Sequence, residues 1–296
     1  MHRFATTLAA VGTALTLVAA HVARPWTAGE TVAVRFTDRP AAAETTRSVP
    51  LVTDSTRGRS RRLFMRFFPA DSDPMARRLV TRFVGDSGIL VRPFSDKRGG
   101  RIGSYRIGFW PRERGRTSSA SYANPDGFIE VTRENATTRV SEHFRLGDFL
   151  THDQPTVWPK YLVLREELVD KLELVITELG RQGIGVRHMN VMSGFRTPQY
   201  NATGGETGGR ADLSRHMYGD AADVFVDNDR DGRMDDLNRD GRVDHRDAQV
   251  VLAALERVER AHPDLAGGAG VYRATSSHGP FTHVDVRGRR ARWGRL

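Results

Sequence analysis

The 296-residue sequence predicts an α+β fold: a small antiparallel sheet with flanking helices over 139–296, preceded by a small β-rich module over 61–138. Three patterns carry that prediction. Ala222, Val224 and Val226 alternate with Asp223, Phe225 and Asp227, and the same period runs from Phe281 to Val286, so both read as half-buried strands. Leu164, Leu168, Leu172, Val175 or Ile176, and Leu179 recur at helical spacing, the apolar stripe of an amphipathic helix. Short aromatic and β-branched runs at 63–68, 89–94, 104–110 and 127–132 are separated by Gly, Pro, Asn and Asp clusters, as strands joined by turns are.

In chain order, residues 1–23 join a short charged start (His2, Arg3) to an apolar stretch from Phe4 to Ala20 that Thr and Gly interrupt. With Val18, Ala19, Ala20 and Ala23 as cleavage candidates, this is a secretory signal peptide rather than a membrane span; an uncleaved anchor is the alternative. The expected location is periplasmic or extracellular, with no stable membrane span after cleavage. The absence of cysteine excludes a disulfide framework, so packing or bound metal must stabilise the fold. Residues 24–60 mix Ala, Thr, Arg and Pro without a period and read as a linker or disordered arm.

The formal charge of +9 points to a polyanionic partner beside a solvated Arg-rich surface. Export argues against nucleic acid and for an anionic envelope polymer, met by a monomer. Within 61–138 one helix is expected, Pro74 to Phe83, and no catalytic constellation is present, so this module binds cell wall or packs against the second domain.

The second domain opens with Val140–Leu150, where Ser141 is a cap. Gly180 and Gly183 end the long helix, and Val186–Met192 forms a strand leading into Ser193–Arg196. The loop 201–212, with four glycines, is expected to line or close a cleft. His216, Asp223 and His283 are metal-ligand side chains on or beside the two alternating strands. Two nitrogens and one carboxylate leave a fourth position open, the requirement of a hydrolytic zinc site.

Between Asp223 and the next helix lies an acidic insertion, 227–247. Its second half fits a calcium loop: Asp236, Asn238, Asp240, the Arg242 carbonyl, Asp244 and Asp247 supply oxygens, with Gly241 at the turn. The twelfth position is Asp rather than Glu, as in dockerin-type loops. A first copy starting at Asp227 overlaps the second, so the two are not independent EF-hands. Compacting six aspartates between 227 and 240 without a cation would cost repulsion, so calcium is expected as a structural ion. A helix follows from Ala248 to Ala261.

The pattern Ser214-x-His216-x-x-Gly219-x-Ala221-x-Asp223, then His283-x-Asp285, resembles the zinc D-alanyl-D-alanine carboxypeptidase superfamily, closest to its murein endopeptidase-like branch. Ser193-Gly-Phe-Arg196-Thr-Pro198 matches that family's Ser-Gly-Tyr-Arg-Thr-Pro segment with Phe for Tyr, and Arg292–Trp293 fits its tail. The resemblance spans about 144–296. It implies a hedgehog/DD-peptidase-like fold and zinc-dependent hydrolysis of peptidoglycan stem peptides or cross-bridges, by a carboxypeptidase or an endopeptidase. It also implies that Arg196 lies in the active site, where a guanidinium would pair with a substrate carboxylate or carbonyl; bracing the loop through backbone carbonyls is the alternative.

Many relatives place an acid or His two or three residues before the last zinc ligand, where this chain has Phe281 and Pro280. The general base is therefore Asp285, which the strand period aims to the same side as His283, or else His278. Asp285 has two other possible roles, as a zinc ligand or as a partner orienting His283. A non-catalytic wall-binding or signalling module on the same fold is the competing class.

Overall fold

The computed structural model describes residues 89–204 and 210–294. The expected signal at 1–23, the arm at 24–60, the run 63–68, the helix Pro74 to Phe83 and loop residues 205–209 lie outside the described residues. What is described is α+β, with small, largely antiparallel sheets and few helices.

Aromatic and β-branched residues build the first layer. Strands β1 (Val91–Pro93), β4 (Gly127–Val131) and β5 (Lys160–Leu162) form an antiparallel sheet in the order β1-β4-β5, while β2 (Arg101–Ile102) and β3 (Tyr105–Arg106) form a hairpin between them in sequence. Phe128 and Trp110 are fully buried, and the Trp110 indole donates to the Met217 carbonyl at 2.9 Å. The boundary expected at 138/139 is thus not a break in the core. β4 pairs with β5 across it, and one apolar cluster runs from Ile89 to Val284.

The second sheet contains β6 (Met189–Ser193), β7 (Ala221–Val226), β8 (Gly268–Tyr272), β9 (Phe281–Asp285) and β10 (Ala291–Trp293), ordered β10-β8-β9-β7-β6. It is antiparallel except at the edge, where β10 runs parallel to β8. The alternating runs are β7 and β9, direct neighbours. Every residue of β7 is buried, where the sequence pattern suggested half-burial, because the charged face is covered by the site it builds.

Helix α1 (Glu166–Arg181) starts two residues later than its apolar stripe, with Glu166 and Glu167 in the first turn where the macrodipole favours carboxylates. Leu168, Leu172, Val175 and Leu179 are buried; Leu172→Ala would cost about 2–5 kcal/mol. Gly183, at φ +79°, follows its C-terminus. A short α2 (Pro198–Ala202) has Thr197 as N-cap, its hydroxyl accepting from the Tyr200 N–H at 3.1 Å. Helix α3 (His245–Ala261) begins three residues before the expected Ala248, because Asp244 and Asp247 form a capping box. It packs against α1, β8 and β9, and the Thr282 hydroxyl donates to the Ala248 carbonyl at 2.9 Å, tying β9 to it.

Candidate metal centre

Strand register alone brings two of the three expected ligands together: Asp223 on β7 lies opposite His283 on β9. An irregularity in β6 between Val191 and Ser193 turns the following Ser193–Arg196 segment toward Asp223. His216 arrives on a 3-10 turn, Arg215–Tyr218, that Gly219 closes at φ +67°. A Cβ at Gly219 would sit 2.3 Å from the Val163 carbonyl oxygen, so only glycine fits both the dihedral and the space.

The ligand atoms converge. His283 Nδ1 lies 2.8 Å from Asp223 Oδ1, His216 Nε2 lies 3.3 Å from the same oxygen, and the two nitrogens are 3.2 Å apart. All three side chains are buried. Each also has its far atom fixed. His216 Nδ1 donates to the Gly194 carbonyl at 2.7 Å, which leaves the Nε2 lone pair facing inward. His283 Nε2 faces Asp285 Oδ2 at 3.3 Å, and the Arg196 guanidinium donates to Asp223 Oδ2. Two imidazole lone pairs and a carboxylate oxygen aimed at one point repel unless they share a cation, and this donor set fits a divalent metal.

Electrostatics agrees. Burial pushes His216 below the ordinary imidazole value. Burial opposes charge on His283 too, but its bonds to Asp223 and Asp285 outweigh it and raise the imidazole. Burial likewise opposes ionisation of Asp223, yet the two histidines hold its carboxyl well below the ordinary range. The site thus favours positive charge among these three side chains.

Asp285 does not occupy the place of a proton shuttle. It is fully buried on the far side of the His283 ring, and its carboxylate accepts from the Gly268 and Arg287 backbone N–H groups at 2.6 and 3.1 Å and from the Arg287 guanidinium. It is not among the converging ligand atoms either. Of the three roles open to it, orienting His283 is the one the geometry fits. Arg196 is in the centre, but its fork spans Ser193 Oγ at 2.8 Å and Asp223, so it braces the metal carboxylate rather than backbone carbonyls. His278 sits in the β8–β9 loop with its ring edge-on to Phe281 at 5.0 Å; Phe281 shares a face of β9 with His283. Its Nδ1 lies 2.8 Å from the Gly279 carbonyl, to which it donates, so Nε2 is not used by that bond.

Three further contributors support the centre, of which Lys171 and Tyr272 escape a motif-based reading. Lys171, on the buried stripe of α1, donates to Glu259 Oε1 and to the Asp285 carbonyl, both at 2.7 Å, and so locks β9 from behind. Trp293 on β10 packs 5.1 Å from the His283 ring, over Gly270, where a Cβ would come within 2.0 Å of the indole nitrogen. Tyr272 stacks on Phe281 at 4.5 Å and accepts from the Trp293 indole at 2.8 Å; burial raises its phenol, which stays a donor. Beside the Arg292–Trp293 tail, the glycine-rich stretch Gly268–Tyr272 is a sequence signal of this close packing.

In the insertion, the oxygens that gather are not those of the expected second loop. Asp227, Asp229 and Asp235 of the first copy come within 4.8 Å of one another. Asp236 accepts from the Asp240 and Gly241 N–H groups just as Asp227 does from Asp231 and Gly232, but Asp240 pairs with Arg246. Asp247 accepts from Leu237, Asn238 and Asp244, while Asp244 caps α3 and the Arg242 N–H bonds to Asp240. The two copies share one backbone turn, with Arg230 and Arg239 both at φ +61° and Gly232 and Gly241 at +81° and +80°. No protein-family model, curated protein or solved structure matches the chain. The chain itself therefore provides the functional statement: His216, Asp223 and His283 form a group able to hold a metal ion.

Proposed function

We propose that this chain is a zinc-dependent peptidase of the cell envelope that hydrolyses amide bonds in peptidoglycan stem peptides or cross-bridges, as a carboxypeptidase or an endopeptidase on a DD-peptidase-like fold. One observation carries the proposal: three buried donor atoms converge while the far atom of each ligand is held by Gly194, Arg196 or Asp285. When bound there, zinc would lower the pKa of a water to near 7 and polarise the scissile carbonyl.

The chain's own residues divide the remaining work. Arg196 and Asp285 fix the orientation of Asp223 and His283, and Lys171 holds the backbone of β9 in register. His278 is assigned the proton shuttle: its Nε2 would take a proton from the attacking water and pass it to the leaving amine. Tyr272 and Trp293 wall the side of the site beside His283. Among the described residues no helix is long and apolar enough to cross a membrane.

The second reading, a non-catalytic wall-binding or signalling module, is favoured by one observation. Among the described residues no further carboxylate joins the metal group to act as its base. Digestion of purified peptidoglycan with zinc-loaded and chelator-treated protein, with released peptides identified by mass, separates the two. Zinc-dependent release of new amino or carboxyl termini supports the peptidase. Binding to the sacculus with no released product supports the module.

A further inference from the structure

A cleft of about 560 Å³ is walled by the β2–β3 hairpin and the turn after it on one side and by α2 on the other. It adjoins the centre through the chain: Met217 and Pro198 line it, and they stand one and two residues from His216 and Arg196. The walls are fixed to one another. The Gln199 N–H donates to the Ile107 carbonyl at 2.9 Å, and the Gly100 carbonyl accepts from the Ile107 and Gly108 N–H groups at 2.8 and 2.9 Å. At Gly108 a Cβ would come within 2.7 Å of the Gln199 nitrogen, so the hairpin and α2 meet at a closeness that requires glycine.

The lining is strongly basic. Arg101, Arg106, Arg114 and Arg116 surround the cleft, and among the described residues the one acid in the lining is Asp212. All four arginines are exposed, and none pairs with a carboxylate among the described residues. Arg101 reaches the Ser104 carbonyl at 3.4 Å, and the Arg114 guanidinium lies 5.4 Å from the centre of the Phe109 ring, itself 41% exposed. A concave wall with one sign of charge focuses potential and concentrates anions. Guanidinium forks suit carboxylates bidentately, and an exposed phenyl ring gives an organic ligand an apolar contact that a bare ion lacks.

We propose that this cleft is a specificity subsite that holds a side-chain carboxylate of the peptide substrate while a neighbouring amide of the same peptide lies at the metal centre. The proposal deepens the peptidase reading in naming a peptide substrate, but the binding it describes does not depend on turnover. A polyphosphate chain is the rival occupant. Its phosphates would satisfy the arginines, but it would give the exposed part of the Phe109 ring, already flanked by Lys97 Nζ at 4.6 Å and by Arg114, no apolar contact.

The probe is a fluorescein-labelled Ala-Glu-Lys-D-Ala-D-Ala peptide and its counterpart with Gln for Glu, measured by anisotropy with the full-length protein and, where turnover occurs, by KM and kcat. The native protein should bind the Glu peptide roughly 3–10-fold more tightly, the effect of two or three partly exposed ion pairs. That preference should shrink between about 50 and 300 mM salt, while binding of the Gln peptide stays level. Arg106→Gln with Arg116→Gln should abolish the preference through KM or Kd, and Lys at both positions should restore part of it.

Equal binding of the two peptides by the native protein overturns the subsite. So does an equal loss for both in the variant, or displacement of the Glu peptide by a glycerol-phosphate oligomer at lower concentration than by the unlabelled peptide. If peptide selectivity is found but nothing is hydrolysed, the subsite stands and the peptidase reading falls. Hydrolysis with no selectivity gives the reverse. The salt series on the native protein decides the matter even if the double variant fails to fold.

Discussion

Two aspartate-bearing regions lie next to each other in the chain, since β7 delivers Asp223 to the metal centre and ends where the acidic insertion begins at Asp227. They are built on opposite principles. At the centre every ligand is buried and its far atom is bonded elsewhere, so the near atoms have no partner but each other. In the insertion the side-chain oxygens are used by their own backbone: Asp227 accepts from Asp231 and Gly232, and Asp236 from Asp240 and Gly241. Density of acid does not make the stronger site. What does is the removal of every alternative partner, at a depth where an unsatisfied charge is costly.

The contrast is tested most severely by deleting a ligand from each region. His216→Ala or His283→Ala should strip zinc from the purified protein and bring hydrolysis to background, because each removes one of three protein donors. Full zinc occupancy in either variant would overturn the assignment of the centre.

Much of this arrangement was legible in the sequence, and the reason is register. Period-two alternation fixes which side chains of one strand share a face, so the strand at 281–286 announced that His283 and Asp285 share one, and the strand at 221–227 that Asp223 lies on its charged face. Strand pairing then placed Asp223 and His283 opposite each other. The helical stripe from Leu164 was legible for the same kind of reason. What periodicity does not encode is which bond a polar side chain makes once buried. Asp285 has the right period for a base, yet Arg287 and the Gly268 N–H take up its oxygens. Lys171 lies inside an apolar stripe and reads as an exception to it, until Glu259, 88 residues away in sequence, comes to meet it. The calcium-type spacing at 236–247 was real as a turn, but Asp244 and Asp247 serve the first turn of α3.

A smaller effect is expected where the centre meets its rim. If His278 carries the proton, His278→Ala should keep zinc and the melting temperature while kcat falls by roughly 10²–10⁴-fold, the usual contribution of general acid–base catalysis. An unchanged kcat would transfer the role to another group, with Tyr272, which bonds the Trp293 indole beside His283, as the donor to test. Asp285→Asn should act differently. With His283 no longer oriented by a carboxylate, zinc affinity or activity should drop by about 10–100-fold, and added zinc should recover part of the rate. A loss of rate at full zinc occupancy would return Asp285 to the role of proton shuttle.

The smallest effect belongs to the insertion, and it measures how far the contrast between the two regions goes. Calcium should bind near Asp227, Asp229 and Asp235, the three carboxylates that gather there, and order the turn without touching the centre. At ten times its dissociation constant an ion stabilises a fold by RT ln 11, about 1.4 kcal/mol. For a domain of this size that raises the melting temperature by about 3–6 °C. The shift should appear in zinc-loaded protein, leave zinc content and kcat unchanged, and vanish in Asp229→Ala. Asp229 is exposed and its carboxylate does no more than accept the Asp231 N–H, so the substitution itself should cost little, within about 0.5 kcal/mol. If calcium moves the melting temperature of Asp229→Ala as far as that of the parent, the ion sits elsewhere. If it moves neither, the backbone N–H groups already satisfy these aspartates, and the insertion is held without metal.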